Sequence, residues 1–563
     1  MRININGQDV NFGGQEAFTS GPKKSSFKRS FVPKTKPLIF TTIFLIVAAL
    51  VLIYIFHPPF NWHSPHFIFY LILLFAFIFI ELTVAFYCAR LTPQTYAKAQ
   101  GWTWGLGGSV IIIIIVAGII TSPMLNAKEY SNRIPIKDVE FSEVNEVDFE
   151  KTPIIDRDST MALGDRVMGQ MPELVSQFEV SSDYTQISYQ DSVYRVTPLQ
   201  YADFFKYLMN RGEGIPAYIT VDSTSGEAKL VKLKDLGLDG MRYVPSGMFN
   251  ENLMRKLQFQ YPTKIFGTPS FELDEKGYPW YVCTTYTYKA MGTKQMVEGV
   301  VLFDPITGES TYYDDPLDAP DWIDRIYPEY LVMEEINHHG ALKDGYLNSV
   351  FGQKNVYVTS RGYNYLEKDG DIWIYSGITS ANSDAANLGF VLVNLRTHDA
   401  LKIASAGADE FSAMNSAEGS VKNFGYHANF PLLVNVNDRP VYLMALKDNA
   451  GLIKMYAMVD AEDYQKVATV PMDEGLEALR LKFIGENAAQ FPTTNLIEKK
   501  IVIEDIKFLT VDGVAKAYIE TSEGNFKVAI NANNENKLVF LKAGDEIEIA
   551  YLEADVNIIK DIK

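Results

Sequence analysis

Three apolar runs in the first 120 residues constrain this chain more than anything that follows them. Leu38 to Phe56, Phe67 to Tyr87 and Trp102 to Ile120 are each about 20 residues long, enough at about 1.5 Å per residue to carry a helix across roughly 30 Å of hydrocarbon. The fold therefore starts as a transmembrane bundle.

The flanking charges give the bundle a direction. Arg2, Lys23, Lys24, Lys28, Arg29, Lys34 and Lys36 precede the first run, against Asp9 and Glu16. The loop His57 to His66 holds no Lys or Arg, and the next, Cys88 to Gly101, holds Arg90 and Lys98. Under the positive-inside rule this alternation predicts a cytoplasmic N-terminus and an outer C-terminal region in a multi-pass protein of the plasma membrane. A cleavable signal peptide fits poorly, because the first run begins only at residue 38 and leads into Phe56-His-Pro-Pro-Phe60 rather than small residues. The Ser-, Gly- and Lys-rich tail has the composition of a disordered segment held near anionic lipid.

Of 51 Lys+Arg and 69 Asp+Glu, nine and three fall within the first 120 residues, leaving 42 and 66 and a formal charge of −24 for the rest. So acidic a surface disfavours nucleic acid and favours basic peptides, cationic polymers or divalent cations, where it does more than keep the protein soluble. Cys88 and Cys283 fall on opposite sides of the predicted membrane, which excludes an intrachain disulfide, so the outer region has to be held by core packing.

Within the second run, Glu81 is a candidate functional residue, since an ionised carboxylate at that depth costs about 2.5 kcal/mol or more. It has no basic partner inside the three runs, so an ion path has little else to be built from. Gly101, Gly105 and Ser109 follow a small-xxx-small spacing and form a candidate helix-packing face, within the bundle or between copies. His57, His63 and His66 sit among Phe60, Trp62 and Tyr70, which read more readily as an interfacial aromatic belt than as a metal site.

Beyond an acidic stalk at 121–153, one pattern recurs four times: an aromatic-rich extended run, a second apolar strand ending in Asp or Asn, a tight turn and a third strand. The copies include Ile215 to Asp222, Tyr278 to Val282 with Gly299 to Glu309, Asp371 to Tyr375 with Gly389 to Thr397, and Arg439 to Met444 with Gly451 to Asp460. Helical spacing at Pro198 to Asn210, Asn250 to Phe259 and Ala341 to Phe351 predicts helices that cover one face of these sheets. The class is membrane-anchored α+β, with a tail at 1–37, the bundle at 38–120, the stalk, two outer domains at 154–330 and 331–495, and a last domain at 496–563.

Asp304-Pro-Ile-Thr-Gly-Glu309 reads as a turn in which Asp and Pro initiate and Gly takes the positive φ. Here the unit resembles the PepSY-like extracytoplasmic domains, which pair a helix with a small antiparallel sheet. The 299–309 copy carries their turn, whereas Asn394 replaces the Asp in another copy and no Thr-Gly-Glu follows Asp460. Through Val175-Ser-Gln-Phe-Glu-Val180, Arg195-Val-Thr-Pro-Leu-Gln-Tyr201, Tyr375-Ser-Gly-Ile-Thr-Ser380 and Ala445-Leu-Lys-Asp448, the chain resembles a family of Gram-positive multi-pass membrane proteins, some labelled as relating to colicin V production. That resemblance implies location and architecture and brings no activity with it. Residues 499–563 alternate apolar and polar through five short runs with turns at Asp512-Gly513 and Glu523-Gly524, which predicts a small OB-like barrel. Its acids Asp545, Glu546, Glu548, Glu553 and Asp555 argue against a nucleic-acid groove.

Motifs for zinc hydrolysis, serine hydrolysis and phosphate loops are absent. Glu334, Glu335, His338 and His339 fit no metal spacing and read as a polar helix end or loop, and Asp314, Asp315, Asp318, Asp321 and Asp324 lack the glycine and terminal Glu of an EF-hand. Tyr363, Tyr365, Trp373 and Tyr375 form a candidate partner-binding surface that also reads as cross-strand packing. No cofactor is called for. The sequence thus predicts a non-enzymatic, membrane-anchored binding or scaffold protein of the bacterial envelope, partnered by lipid and by protein or its own copies. The alternatives are a regulator or inhibitor of an exported peptidase and a subunit of a transporter or envelope enzyme.

Overall fold

The computed structural model describes residues 4–5, 8–9, 35–88, 92–141, 144, 148–149, 151–190, 192–290, 292–381, 383–486, 497–511, 514–530, 534–552 and 556–562. Lys23 to Lys34, Arg90, the Asp512-Gly513 turn, Glu553 and Asp555 lie outside the described residues. Helices α1 (Thr35–Phe56), α2 (Pro65–Tyr87) and α3 (Pro93–Ile120) are each long and apolar enough to cross a membrane. Helix α3 begins nine residues before the apolar run. Pro93 occupies a first-turn position and the Thr92 hydroxyl accepts the Thr95 N–H at 3.2 Å, so a cap and a proline start the helix in polar sequence.

Residues 1–51 with 71–110 make one compact unit, and 52–70 with 111–563 make another. In the first, Phe86 stacks on Tyr96 at 4.5 Å, and the Tyr96 hydroxyl pairs with Thr83 and Gln100 at 3.2 and 2.6 Å.

The second is dominated by four copies of one sheet. In each, two short strands both pair with the same long strand, a further long strand follows antiparallel, and a last strand pairs beyond it, closing the other edge in all but the third. The long pairs are Ser192–Tyr201 with Ala217–Asp222, Pro279–Ala290 with Thr293–Phe303, Asp371–Ser380 with Ser383–Asn394, and Arg439–Lys447 with Ile453–Asp460. The helices Arg157–Gly169, Leu253–Gln260 and Glu410–Ser420 enter the first, second and fourth copies through Asp156, Asn252 and Asp409, whose side chains accept the N–H three residues on. Glu329–Leu342 enters the third.

The same atom-level device ends the second long strand in every copy. Asp222, Asp304, Asn394 and Asp460 each accept the N–H groups two and three residues ahead through Oδ1, at 2.8 to 3.1 Å. Each also donates its own N–H across the turn, to Glu227, Glu309, Asp399 and Lys466 at 2.9 to 3.1 Å. The Asn is thus equivalent to the Asp, and the fourth copy differs by one inserted residue. A carboxamide serves because only the acceptor oxygen is used.

Two sequence expectations are corrected. Pro198 to Tyr201 continue a strand, and the helix there is only Phe204–Asn210, started by Asp203. Past Leu342 the chain leaves the α-helix and makes a π-turn at Asn348–Gly352. The described part of the acidic stalk is structured as well. It holds a helix, Pro123–Ser131, and a strand, Ile136–Val139, which pairs in parallel with Ala400 to Ile403 of the third copy.

The copies pack in pairs. Ile187, Val196 and Tyr218 of the first share a core with Phe271, Tyr281 and Phe303 of the second, and Tyr375, Phe390 and Leu392 of the third share one with Leu433, Tyr442 and Leu443 of the fourth. Cys88 and Cys283 are buried and free. Residues 497–562 form a separate core, in strand order 497–502, 546–552, 557–562, 524–529, 514–521, 505–511. Only Ile503 and Glu504 separate the first and last of these, bonded to Asp545 on one side and Glu520 on the other.

The shared turn makes a test. Asp304 also accepts the Thr307 and Tyr278 hydroxyls at 2.7 and 2.9 Å and is nearly sealed from solvent. Asp304→Ala strands these donors, and thermal unfolding of the detergent-solubilised chain should register a loss of about 2 to 4 kcal/mol. Asp304→Asn should cost under about 1.5 kcal/mol, because Oδ1 still caps the turn and both hydroxyls can reverse roles.

Candidate functional site

All four copies contribute to one open cavity of about 660 Å³. The first supplies Asp156, Arg157, Gln186 and Arg195, the second Thr268 and Pro269, the third Glu329, Tyr363 and Tyr365, and the fourth Asn429, Phe430 and Lys447, with Arg325 at the entry to the third.

Two of its acids are neutralised in place. Asp156 takes the Lys447 ammonium at 2.5 Å while capping its helix through Ser159. Burial alone would raise its carboxyl, but Lys447 and Ser159 outweigh that and hold it below the usual range. Glu329 accepts Arg325 and the Tyr365 hydroxyl, both at 2.5 Å. Burial, and then the Glu329 charge, push the Tyr365 phenol well up, so it stays a donor.

Arg195 has no such partner. It faces Gln186 across the sheet and is only 6% exposed. Its Nε donates to Gln186 at 3.2 Å, and its Nη1 to the Ile155 carbonyl and Thr160 hydroxyl at 2.6 and 3.2 Å. Among the described residues no carboxylate pairs with it and nothing accepts from Nη2, while the buried Gln186 Nε2 is also without an acceptor. A guanidinium held this deep without a counter-ion is costly, and burial drags its pKa down. Among the described residues no His, Cys or Ser lines the cavity. The wall offers hydrogen-bond donors, cations and aromatic rings, together with the carboxylates Asp158 and Asp183.

Behind it lies a pair of acids. Glu272 accepts the Ser270 hydroxyl and the Asp324 N–H, both at 2.8 Å, and Asp324 accepts the Ser188 N–H at 2.7 Å. Both are buried and, among the described residues, no basic side chain pairs with either. Burial pushes Glu272 up to about 7, and burial together with the Glu272 charge pushes Asp324 well up.

The candidate residues from the sequence are scattered. Tyr363 and Tyr365 line the cavity, but Trp373 and Tyr375 are core residues, Tyr375 bonded through its hydroxyl to the Pro431 carbonyl. The four do not make one partner-binding surface, because alternate residues of Asp371–Ser380 face a second sheet rather than solvent. Glu81 accepts the Thr42 hydroxyl of α1 at 2.5 Å and leaves its other oxygen buried without a partner. Gly101, Gly105 and Ser109 are exposed, and a Cβ added at either glycine would meet nothing within 4 Å, so among the described residues no helix packs there.

Glu334 to His339 run through helix Glu329–Leu342 into its last turn, and they work as cross-links. Buried Arg133 reaches Glu334 at 2.6 Å and Glu335 at 3.4 Å, and Glu335 holds His398 at 2.7 Å. Of the acidic stretch, Asp315 caps a turn, Asp321 pairs with Arg396, and Asp324 is the buried acid above. Among the described residues no three His, Cys, Asp or Glu converge as a metal-holding group. What the sequence reading missed was Arg195. The signal was a cation on the inward phase of a mostly apolar strand, Val193 to Leu199, two residues before the buried Thr197.

No family model and no curated protein matches the chain. Among solved structures it is similar to an exo-beta-1,3-galactanase from Phanerochaete chrysosporium, at 10% identity over 60% of this chain and 76% of that one, with a TM-score of 0.19. It is also similar to a B. megaterium levansucrase variant, at 9% identity over 75% and 98%, with a TM-score of 0.15. At TM-scores this low neither likeness bears on fold or activity.

The buried acids generate a pH dependence. A carboxyl whose folded pKa is raised from 4.5 to about 7 contributes fully below pH 4.5, and about 3 kcal/mol of that is lost as pH rises toward and through 7. Denaturant midpoints of the full chain should fall over that range. In Glu272→Gln the fall should be smaller, since the amide is never charged, its oxygen can take the Asp324 N–H, and its nitrogen can donate to Ser270.

Proposed function

We propose that this is a non-enzymatic, membrane-anchored binding protein of the bacterial envelope, with its N-terminus in the cytoplasm and residues from Thr121 onward outside. Its ligand occupies the cavity shared by the four repeated units. The observation that carries this reading is Arg195, a buried cation whose free Nη2 lines a cavity with no nucleophile and base arrangement among the described residues. Such a donor is best satisfied by an anionic group brought by the ligand. Three membrane-length helices support the anchoring, and the alternation of basic loops supports the direction.

The finer architecture fits the same reading. A helix feeding a small antiparallel sheet, with the Asx-capped turn repeated at Asp222, Asp304, Asn394 and Asp460, is what PepSY-like units imply. The last domain has OB-like order if 497–511 is taken as one bent strand. Phe526 and Lys527 then pair in parallel with Asn557 and Ile558, and the short helix Glu535–Leu538 lies between the third and fourth strands. Its role in this reading is a structural or protein-binding cap.

The test places a photo-crosslinking amino acid at Tyr363, half exposed at the cavity, and at Phe351, fully exposed elsewhere, in the full chain in its native membrane. A discrete species captured from position 363 and not from 351, and weakened at least several-fold by Arg157→Ala at the rim, is the expected result. Turnover of an envelope substrate by the purified full chain, or equal capture from both positions, would overturn the reading.

A further inference from the structure

Helix Phe204–Asn210 is amphipathic the wrong way round for a soluble protein. Tyr207 is its buried residue, bonded to the Met248 carbonyl at 2.8 Å and to Glu251 at 2.7 Å. The opposite face presents Phe204, Phe205, Leu208 and Met209, with Phe205 70% and Met209 78% exposed. Phe249 continues this face, its ring 6.5 Å from that of Phe204, and it does so from a left-handed backbone, φ 50°, which a bulky side chain rarely adopts. Neither feature serves a water-facing surface.

The position of this patch says what covers it. Asn250 accepts the Tyr54 hydroxyl at 3.0 Å, Arg255 donates to the Tyr54 carbonyl at 2.7 Å and lies 4.4 Å over its ring, and Phe259 stacks on that ring at 6.3 Å. Tyr54 belongs to the last turn of α1. The loop beyond α1 is fastened to the same copy, Phe60 N–H and Asn61 Nδ2 donating to the Pro262 and Thr263 carbonyls at 2.7 and 3.0 Å. The apolar face therefore continues the end of a membrane-length helix. Beside it a groove of about 440 Å³ is lined by Arg211, Arg255 and Lys256 with Glu251 as its acid, and Arg242 also reaches Glu251, at 3.6 Å. In a region of net charge −24, four cations around one carboxylate are a local reversal of sign.

We infer that this face is a lipid-binding surface: Phe204, Phe205, Leu208, Met209 and Phe249 enter the leaflet at the C-terminal end of α1, and Arg211, Arg255 and Lys256 take its phosphate head groups. Apolar side chains at the acyl boundary with cations at head-group level are the arrangement of interfacial helices, and aromatic rings favour that depth. The surface holds the outer region against the bilayer independently of any cavity ligand.

The test uses the full chain with a single added cysteine carrying an environment-sensitive fluorophore, Cys88 and Cys283 being buried. Phe205→Cys and Met209→Cys are compared with Phe351→Cys, 81% exposed on the π-turn, in vesicles of phosphatidylcholine and phosphatidylglycerol containing a doxyl lipid. Blue-shifted emission, quenched by doxyl lipid and shielded from aqueous iodide at 205 and 209 but not at 351, is the expected result. Iodide access at 205 and 209 equal to that at 351 would overturn the inference. Lys256→Glu in the labelled Met209→Cys chain should weaken doxyl quenching in these vesicles, and unchanged quenching would overturn the head-group part.

Discussion

One side-chain oxygen that gathers two backbone N–H groups recurs in all four repeated sheets and shapes each of them. At Asp222, Asp304, Asn394 and Asp460 the second long strand has run out of partners, and Oδ1 accepts the two donors that the ladder no longer reaches. The chain is thereby turned within five or six residues into the next strand of the sheet in fixed register, an edge strand in the first, second and fourth copies. Because register decides which side chains face inward, this small contact determines that Tyr218, Phe303, Phe390 and Val459 land in cores and that each sheet has one face to share.

Sharing those faces in pairs leaves a place where all four copies meet but no core fills the space. The charges there are arranged unequally. Asp156 with Lys447 is a closed pair that ties the first copy to the fourth and Glu329 with Arg325 is closed at the third, while Arg195 is held by neutral oxygens and keeps one nitrogen free. Glu272 and Asp324 are buried with no basic side chain paired to either among the described residues, and burial raises both carboxyls. The cavity is thus bounded by groups whose charge state depends on being assembled, which makes its shape a property of the four copies together.

Much of this was legible in the residues. Length and apolarity alone located α1 and α2, and the recurrence of an aromatic strand, an Asp or Asn and a tight turn located all four sheets. The repeat already admitted Asn394 beside the aspartates, but the reason was not legible: Asn394 counted as a departure from the PepSY-like turn, which was read by residue type, while the turn uses only an acceptor oxygen. Pro198 to Tyr201 looked helical since Leu199 and the later Phe204 and Leu208 fall at helical spacing; pairing with Phe178–Val180 and Tyr218 overrode that local pattern. The cavity was invisible for a different reason: Gln186 and Arg195, Tyr363 and Lys447 lie far apart in the chain, and only the pairing of sheets brings them together. Trp373 and Tyr375 misled because an aromatic run on a strand signals packing and binding equally well.

The parallel pairing of Ile136–Val139 with Ala400 to Ile403 spans 264 residues, the separation between Asp138 and its partner Lys402. A strand that emerges early in synthesis therefore stays without its neighbour until the first two copies and most of the third have followed it. Of the four repeated sheets, the third is the one that cannot be finished in chain order, and closing it ties the segment that follows the third helix to the third copy. A pairing of such high sequence separation forms late relative to the local hairpins of the same sheet.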